Sequence, residues 1–190
     1  MKITFDLDSV IFDLKPLEKK AFELAGQPYK KPTSWDIATI YNKEICDNLQ
    51  TLWGSDMLYT MPVLDKGITY ILNTLLQRPD LDIAFVTERR LKQPEKTFQQ
   101  LQNAGIKCSF EQVYDMHGLK SDILKDLGTD LHFDDSPLVV SGCLSKNVPV
   151  VMISNNETLY NHYMRNKVEH YKSLRQALIK KGIYKPNKSR

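Results

Sequence analysis

Hydrophobic and polar residues follow one rhythm in the first sixty residues of this chain and another in the remainder. After Pro62, short apolar runs rich in β-branched and aromatic residues alternate with segments in which apolar residues recur at helical spacing. Strands are predicted over residues 3–5, 83–86, 109–113, 131–133, 148–153 and, at an edge, 168–171. Because strands and helices alternate, we expect an α/β fold in which one parallel sheet carries helices on both faces.

Several predicted helices have start or stop residues at their ends. Gly105 and Gly128 follow two apolar helical segments, as glycine does where a helix ends in the left-handed conformation. Ser136 and Pro137 supply a cap and a first-turn proline for another helix. Further helices are predicted over 64–75, 157–163 and 173–181.

Residues 14–61 contain no convincing strand and predict a small helical insert. Pro16 suits the first turn of a helix with Leu17 and Phe22 on its apolar face, and a second helix is predicted over 43–53. The insert is too short to fold alone. The predicted division is a core domain of 1–13 and 62–183, the insert 14–61, and a flexible basic tail 184–190.

Composition narrows the class of protein. The chain has 190 residues, 42% of them hydrophobic, and no apolar run approaches the roughly 20 residues that span a membrane. Three widely spaced cysteines form no metal-binding pattern and favour a reducing compartment. We therefore expect a cytoplasmic protein with no membrane partner, and the oligomeric state is left open.

The net charge of +3 conceals an asymmetry between the two ends of the chain. From Arg165 onward there are nine Lys or Arg residues and a single acid, Glu169. A solvated helix face with a frayed terminus is the simpler interpretation, and binding of nucleic acid is the alternative.

Polar residues fall where the predicted strands end or the following helices begin. Asp6 and Asp8 follow the first strand, and two carboxylates so close need a metal ion or a lysine to offset their repulsion. Ligands of open parallel sheets bind at the carboxyl ends of the strands. The remaining candidates at that edge are Thr87, Lys120, Asp134 and Asp135.

In this order, four segments resemble the motifs of the haloacid dehalogenase-like (HAD) superfamily of phosphohydrolases. They are Phe5-Asp6-Leu7-Asp8-Ser9-Val10, Phe85-Val86-Thr87, Lys120 and His132-Phe133-Asp134-Asp135. The resemblance covers almost the whole chain and implies a Rossmann-like core, with the insert standing where the family has its type-one cap. The double aspartate followed by Ser-Pro, and the segment 86–89, are most similar to the 5′(3′)-deoxyribonucleotidase and predicted nucleotidase branch. Ser9 departs from the glycine usual at its position.

The resemblance implies a role for each candidate. Asp6 would be the nucleophile and Asp8 the general acid and base, while Thr87 and Lys120 would bind the transferring phosphate. Mg²⁺ would be held by the Asp6 carboxylate, the Asp8 backbone carbonyl and either Asp134 or Asp135.

The implied substrate is a small phosphate ester, and the branch resemblance favours a nucleoside monophosphate. Glu88, Arg89 and Arg90 stand at the right edge to meet a charged substrate, with Arg89 preferred. The alternatives are a 3′-phosphatase on nucleic-acid ends, a phosphatase for another small ester, and a catalytically silent binding or regulatory protein. Several large side chains in and near the insert are expected to form mainly its core, and stacking of some of them on a nucleobase is the alternative. They are Phe12, Trp35, Tyr41, Trp53, Met57 and Tyr59.

Three nearby residues compete with these assignments. Lys125 is an alternative to Lys120, and His117 is left open as a residue of the site rim. His132 is expected to point away from the acids and to have a packing role.

Overall fold

The protein is described by a computed structural model covering residues 1–34, 36–89, 93–115, 118–154, 164 and 166–186. Its centre is a six-stranded sheet in the order β3-β2-β1-β4-β5-β6, and every strand pair is parallel. The strands are β1 Lys2–Phe5, β2 Asp82–Thr87, β3 Val113–Asp115, β4 Leu131–Asp134, β5 Val150–Ile153 and β6 His170–Tyr171. The predicted parallel sheet is confirmed.

Helices connect these strands at the predicted places. Their bounds are α1 Lys15–Leu24, α2 Lys43–Trp53, α3 Lys66–Leu76, α4 Pro94–Asn103, α5 Lys120–Asp126, α6 Pro137–Ser145 and α7 Leu174–Lys180. Gly105 and Gly128 do take positive φ angles, 77° and 66°, just after α4 and α5. Ser136 caps α6 by accepting a hydrogen bond from the Val139 amide. The predicted helix over 157–163 lies outside the described residues.

The third strand was wrongly placed by the sequence pattern. Residues Phe110–Gln112 form a 3₁₀ helix, and the strand begins only at Val113. Ser109 and Gln112 form a reciprocal capping box that satisfies the backbone amides at the start of this turn. At the other end of the chain, the Tyr184 amide donates to the Leu178 carbonyl and the Tyr184 side chain packs against the core.

Successive strand residues face two different hydrophobic layers. Phe85 and Val151 belong to the larger cluster, whereas their neighbours Val86 and Met152 belong to a second cluster with residues of α5 and α6. This alternation is the two-residue period of a strand. Helices α5 and α6 approach each other closely, since a Cβ atom at Gly142 would lie 2.8 Å from the Ser121 hydroxyl.

The insert packs into the larger cluster instead of forming a core of its own. Phe22 of α1 makes edge-to-face contacts with Tyr29 and Tyr41, at centroid distances of 5.4 and 4.9 Å. Phe12 is buried, and Tyr41, Trp53 and Met57 pack against the same shared cluster, so they are core residues but not of a separate insert core. The Tyr59 ring lies over the Arg89 guanidinium instead. Trp35 lies outside the described residues. The boundaries of the predicted domains stay a prediction.

The strand order locates the ligand-binding edge of the sheet. The order 3-2-1-4-5-6 reverses direction between β1 and β4, and open α/β sheets bind ligands in the crevice at such a switch point. Asp6 follows β1 and Asp134 ends β4, so the two candidate acids flank this crevice. Within the described part of the chain, no helix has the length and apolarity needed to cross a bilayer.

Candidate active site

A buried lysine joins the acids that the two central strands supply. The Lys120 ammonium lies 2.7 Å from Asp6 Oδ1 and 2.9 Å from Asp134 Oδ2, and all three side chains are at most 6% exposed. Lys120 is the first residue of α5, a position at which the helix dipole disfavours a cation. The two carboxylates therefore account for its placement there. Lys125, the alternative, is exposed.

A histidine holds Asp134 from the opposite side. His132 Nε2 lies 2.9 Å from Asp134 Oδ2, and Nδ1 lies 2.8 Å from the Thr4 hydroxyl. Burial lowers the pKa of His132 although its hydrogen bond to Asp134 opposes this. Because a carboxylate can only accept, Nε2 donates to Asp134, while Nδ1 also lies 3.2 Å from the Thr4 carbonyl oxygen.

The prediction that His132 points away from the acids is wrong. Residues i and i+2 of a strand share one face, so His132 lies on the same side of the sheet as Asp134. Phe133, between them, faces the other way into the larger cluster. The sequence did contain this signal, because a histidine two residues before a strand-end aspartate is placed beside it by the strand period.

Asp135 completes a compact group of three acids. Oxygen atoms of Asp6, Asp134 and Asp135 lie within 4.8 Å of one another. Asp134 accepts from Lys120 and His132 at Oδ2 and from the Ser136 amide at Oδ1, 2.7 Å away. Among the residues that the structure describes, none donates a hydrogen bond to the Asp135 carboxylate. Asp135 thus has oxygens to offer that Asp134 lacks.

The electrostatics of the three acids differ. Burial raises the pKa of Asp6 to about 7, with Asp134 and Asp8 adding to the effect and Lys120 opposing it. Burial acts in the same direction on Asp134, but Lys120 and His132 outweigh it and lower its pKa to about 2. Burial and the neighbouring carboxylates raise the pKa of Asp135. Burial alone would lower the pKa of Lys120, and the two acids raise it instead. The site therefore has an excess of negative charge that a divalent cation would relieve.

Asp8 has a partner of its own. Arg89 Nε lies 3.0 Å from Asp8 Oδ2, and Nη2 lies 2.7 Å from Oδ1, which is a bidentate pair. The Arg89 side chain is only 1% exposed, against 21% for Asp8. Direct substrate binding by Arg89 stays a prediction, but its guanidinium is engaged inside the protein. Sequence reasoning missed this pair because residues 81 positions apart carry no local signal of contact.

The turn that presents Asp8 requires an unusual backbone conformation. Ser9 has φ 63°, in the left-handed region that glycine adopts at least cost. The Ser9 amide donates to the Phe12 carbonyl, and the amides of Ile11 and Phe12 both donate to Leu7. Ser9 thus has the left-handed backbone conformation of the glycine that is usual at this position in the motif it resembles.

Two of the remaining predicted residues lie at the end of β2. Thr87 ends β2, beside β1, and is 2% exposed. Glu88 follows it and is exposed to solvent. Arg90 and His117 lie outside the described residues. The structure thus brings together Asp6, Lys120, Asp134 and Asp135, and it pairs Asp8 with Arg89.

Comparison with known proteins places the fold. No protein-family model matches the chain, and no curated protein matches it. A haloacid dehalogenase-like hydrolase from Streptococcus pneumoniae superposes with a TM-score of 0.66 at 15% identity, covering 96% of this chain and 98% of that one. A predicted phosphatase from Clostridium acetobutylicum gives 0.60 at 16% identity, with 96% and 97% covered.

A third match concerns a metal-bound protein. The HAD-hydrolase YfnB from Bacillus subtilis, whose structure is bound to magnesium, gives a TM-score of 0.59 at 12% identity, with 94% of this chain and 96% of that one covered. At these identities the likeness establishes the fold alone. The chain has the α/β fold of HAD-like hydrolases, with a Rossmann-like parallel sheet flanked by helices.

Proposed function

We propose that this protein is a magnesium-dependent phosphomonoesterase that works through a phosphoaspartate at Asp6. The observation that carries the proposal is the buried contact of Lys120 with both Asp6 and Asp134 at the crevice between β1 and β4. A structural ion pair needs no third acid, whereas Asp135 leaves the group with an excess of carboxylates. The fold shared with HAD-like hydrolases and phosphatases supports the same conclusion.

The residues present fit a magnesium ion. The clustered side-chain ligands are all carboxylate oxygens, which Mg²⁺ prefers, and they lie close enough to share one ion. Asp6 and Asp135, with the Asp8 backbone carbonyl, are the proposed direct ligands, because the oxygens of Asp134 already accept three hydrogen bonds. When bound, Mg²⁺ would neutralise the phosphate and lower the repulsion between it and Asp6.

The protein's own groups account for the two proposed chemical steps. In the first, the Asp6 carboxylate attacks phosphorus, the bond to the leaving oxygen breaks, and Asp8 gives its proton to that oxygen. In the second, water attacks the phosphorus of the phosphoaspartate and gives a proton to Asp8. The bond between Asp6 and phosphorus breaks, so phosphate is released, Asp6 is again a carboxylate and Asp8 is again protonated. Lys120 and the Thr87 hydroxyl would stabilise the negative charge on the transferring oxygens.

The proposed substrate is a nucleoside monophosphate. This proposal depends on the similarity of residues 134–137 and 86–89 to the nucleotidase branch, and exposed Glu88 next to Thr87 is the proposed contact outside the phosphate site. The test is a panel of nucleoside monophosphates, sugar phosphates and 3′-phosphorylated oligonucleotides assayed with Mg²⁺. Nucleotides should be hydrolysed with the highest kcat/KM, and a faster reaction of sugar phosphates or oligonucleotides would reject the nucleotide assignment.

A further inference from the structure

Arg89 is buried between the candidate acid Asp8, helix α4 and the insert. Two nitrogen atoms of its guanidinium donate to the two oxygens of Asp8, at 3.0 and 2.7 Å, in a bidentate geometry that a lysine cannot reproduce. The pair fixes the rotation of the carboxylate as well as its position. Removing one partner of such a buried pair costs more than breaking a surface ion pair, because it leaves the other charge buried without a counter-charge.

Helix α4 orients the guanidinium from behind. Arg89 Nη1 lies 2.9 Å from the Gln100 side-chain oxygen and 3.4 Å from the Thr97 hydroxyl. Thr97 in turn donates to Asp115 Oδ2 at 2.8 Å, so its oxygen is free to accept from Arg89. The direction of the guanidinium is therefore set by side chains that are themselves buried and hydrogen-bonded.

The same assembly reaches the insert. The Gln100 amide donates to the carbonyls of Leu58 and Met61, at 3.2 and 3.4 Å. The ring of Tyr59 lies over the guanidinium, with its centroid 5.1 Å from Arg89 Cζ. One arginine thus contacts the acid in the core, the helix that supports it and the segment that ends the insert.

We infer that Arg89 is a positioning residue that fixes the Asp8 carboxylate for proton transfer and couples its orientation to residues 58–61 of the insert. The inference rests on the proposed function, since it assigns Arg89 a part in the steps given above. In the second step, where Asp8 acts as a base, Arg89 holds both carboxylate oxygens, and the oxygen that faces the attacking water takes the proton of that water. In the acid step Arg89 keeps its hydrogen bond to the oxygen without the proton, while the other oxygen protonates the leaving group.

The leaving group makes the inference testable. Protonation matters for phenyl phosphate and much less for 4-nitrophenyl phosphate, whose phenolate leaves as a stable anion. For Arg89→Lys we expect the single-turnover rate of phenol release to fall by about 10²-fold, the lower range for general acid catalysis, and that of nitrophenol by less than about tenfold. A merely structural role of Arg89 would lower both rates by the same factor, and that result would overturn the inference.

A double-mutant cycle tests whether Arg89 acts through Asp8. If it does, Arg89→Lys should have little further effect in an Asp8→Asn background, so the two effects should not add. Additive effects would contradict the inference even where the leaving-group dependence is as expected. An inactive wild-type protein would instead reject the proposed function, so the two failures are distinguishable.

Two further variants control the experiment. Arg78 makes a bidentate pair with Asp80, 3.0 and 2.5 Å, that is exposed to solvent, and Arg78→Lys should leave both substrates at wild-type rates. Gln100→Met removes the acceptor for Nη1 and keeps the arginine. The rate on phenyl phosphate should again fall more than that on 4-nitrophenyl phosphate, but by a smaller factor than in Arg89→Lys. This variant keeps the test valid if Arg89→Lys fails to fold. If folded Gln100→Met changed the rates on the two substrates by the same factor relative to wild type, that result would contradict the role of α4.

Discussion

The two aspartates of the first motif are held in two different ways. Asp6 is bound by a lysine of α5, and its network continues through Asp134 to His132 and Thr4, all within the core. Asp8, two residues later, is bound by an arginine whose other contacts include the insert. The Asp6 half of the site is therefore fixed by the sheet and α5. The orientation of Asp8, in the other half, depends on the position of residues 58–61.

The difference corresponds to the proposed division of work. A nucleophile and a metal site need fixed geometry, which a fully buried network supplies. A group that exchanges protons with a substrate must instead be reachable, and Asp8 is the more exposed partner in its pair. Substitutions in the first half should change metal binding and total activity, whereas those in the second should change how activity depends on the leaving group.

The largest effect is expected for Lys120→Met. Removing the ammonium leaves Asp6 and Asp134 as buried acids without a cation, so we expect the free energy of unfolding at pH 8 to fall by about 3 kcal/mol. Loss of a fixed charge on the transferring oxygens should lower kcat at least about 10²-fold. Urea unfolding and steady-state kinetics measure the two effects. Lys125→Met, on the same helix, should change neither, and an active Lys120→Met protein would contradict the assigned role.

The next effect concerns metal affinity. His132→Leu removes the Nε2 hydrogen bond that orients Asp134, and we expect the Mg²⁺ concentration for half-maximal activity to rise about 10- to 100-fold. His132→Gln keeps a donor near that place and should recover part of the affinity. Magnesium titrations at saturating substrate measure this. A change in kcat with unchanged Mg²⁺ dependence in His132→Leu would show that the histidine does not support the metal site.

A smaller effect is expected from pH. Because the pKa of Asp6 is raised from 3.8 to about 7 in the folded protein, the folded state binds a proton more tightly than the unfolded state. Without divalent cations, Tm should therefore rise by several degrees as the pH falls from 8 toward 5. Burial lowers the pKa of His132 from its ordinary 6.5, so His132 opposes this rise, whereas the raised pKa of Asp135 adds to that of Asp6. Asp134, whose pKa is lowered to about 2, opposes the rise chiefly below pH 4.

Scanning calorimetry in a chelator at several pH values measures this dependence. Asp6→Asn should flatten it, while Mg²⁺ should raise the wild-type Tm most at pH 8, where the carboxylates are charged. A wild-type Tm that is independent of pH between 5 and 8 would contradict the electrostatic account.

The smallest effect is expected for Ser9→Gly. Glycine removes the cost of the left-handed conformation at φ 63°, about 1–2 kcal/mol, but it loses about 0.5–1 kcal/mol more chain entropy on folding. We expect Tm to rise slightly and kcat to stay within about twofold of wild type. A marked loss of activity would mean that the Ser9 side chain itself contributes to the Asp8 half of the site.

Much of the fold could be predicted because strand and helix periods are local. The apolar run at β5 and the Ser-Pro start of α6 were recognised from a few neighbouring residues. The start of β3 was not, since the capping box of Ser109 and Gln112 competed with the strand propensity of the same residues. Local hydrogen bonding there outweighed the apolar pattern.

The candidate site was only partly predictable for a related reason. Residues at strand ends could be assigned to one edge of the sheet, so the approach of Asp6 to Asp134 followed from topology. The Arg89–Asp8 pair depends on how α4 and the insert pack, which no local pattern encodes. His132 was misjudged although its position two residues before Asp134 contained the necessary information.

The most direct test of the proposed chemistry is to look for phosphate on Asp6. Wild-type protein mixed with Mg²⁺ and a nucleoside monophosphate should be quenched in acid within a turnover, digested and examined by mass spectrometry. We expect a phosphoaspartate at Asp6 that forms only with Mg²⁺, accumulates in Asp8→Asn and is absent in Asp6→Asn. Steady release of phosphate with no phosphorylated Asp6, or equal release by Asp6→Asn, would contradict the proposed chemistry.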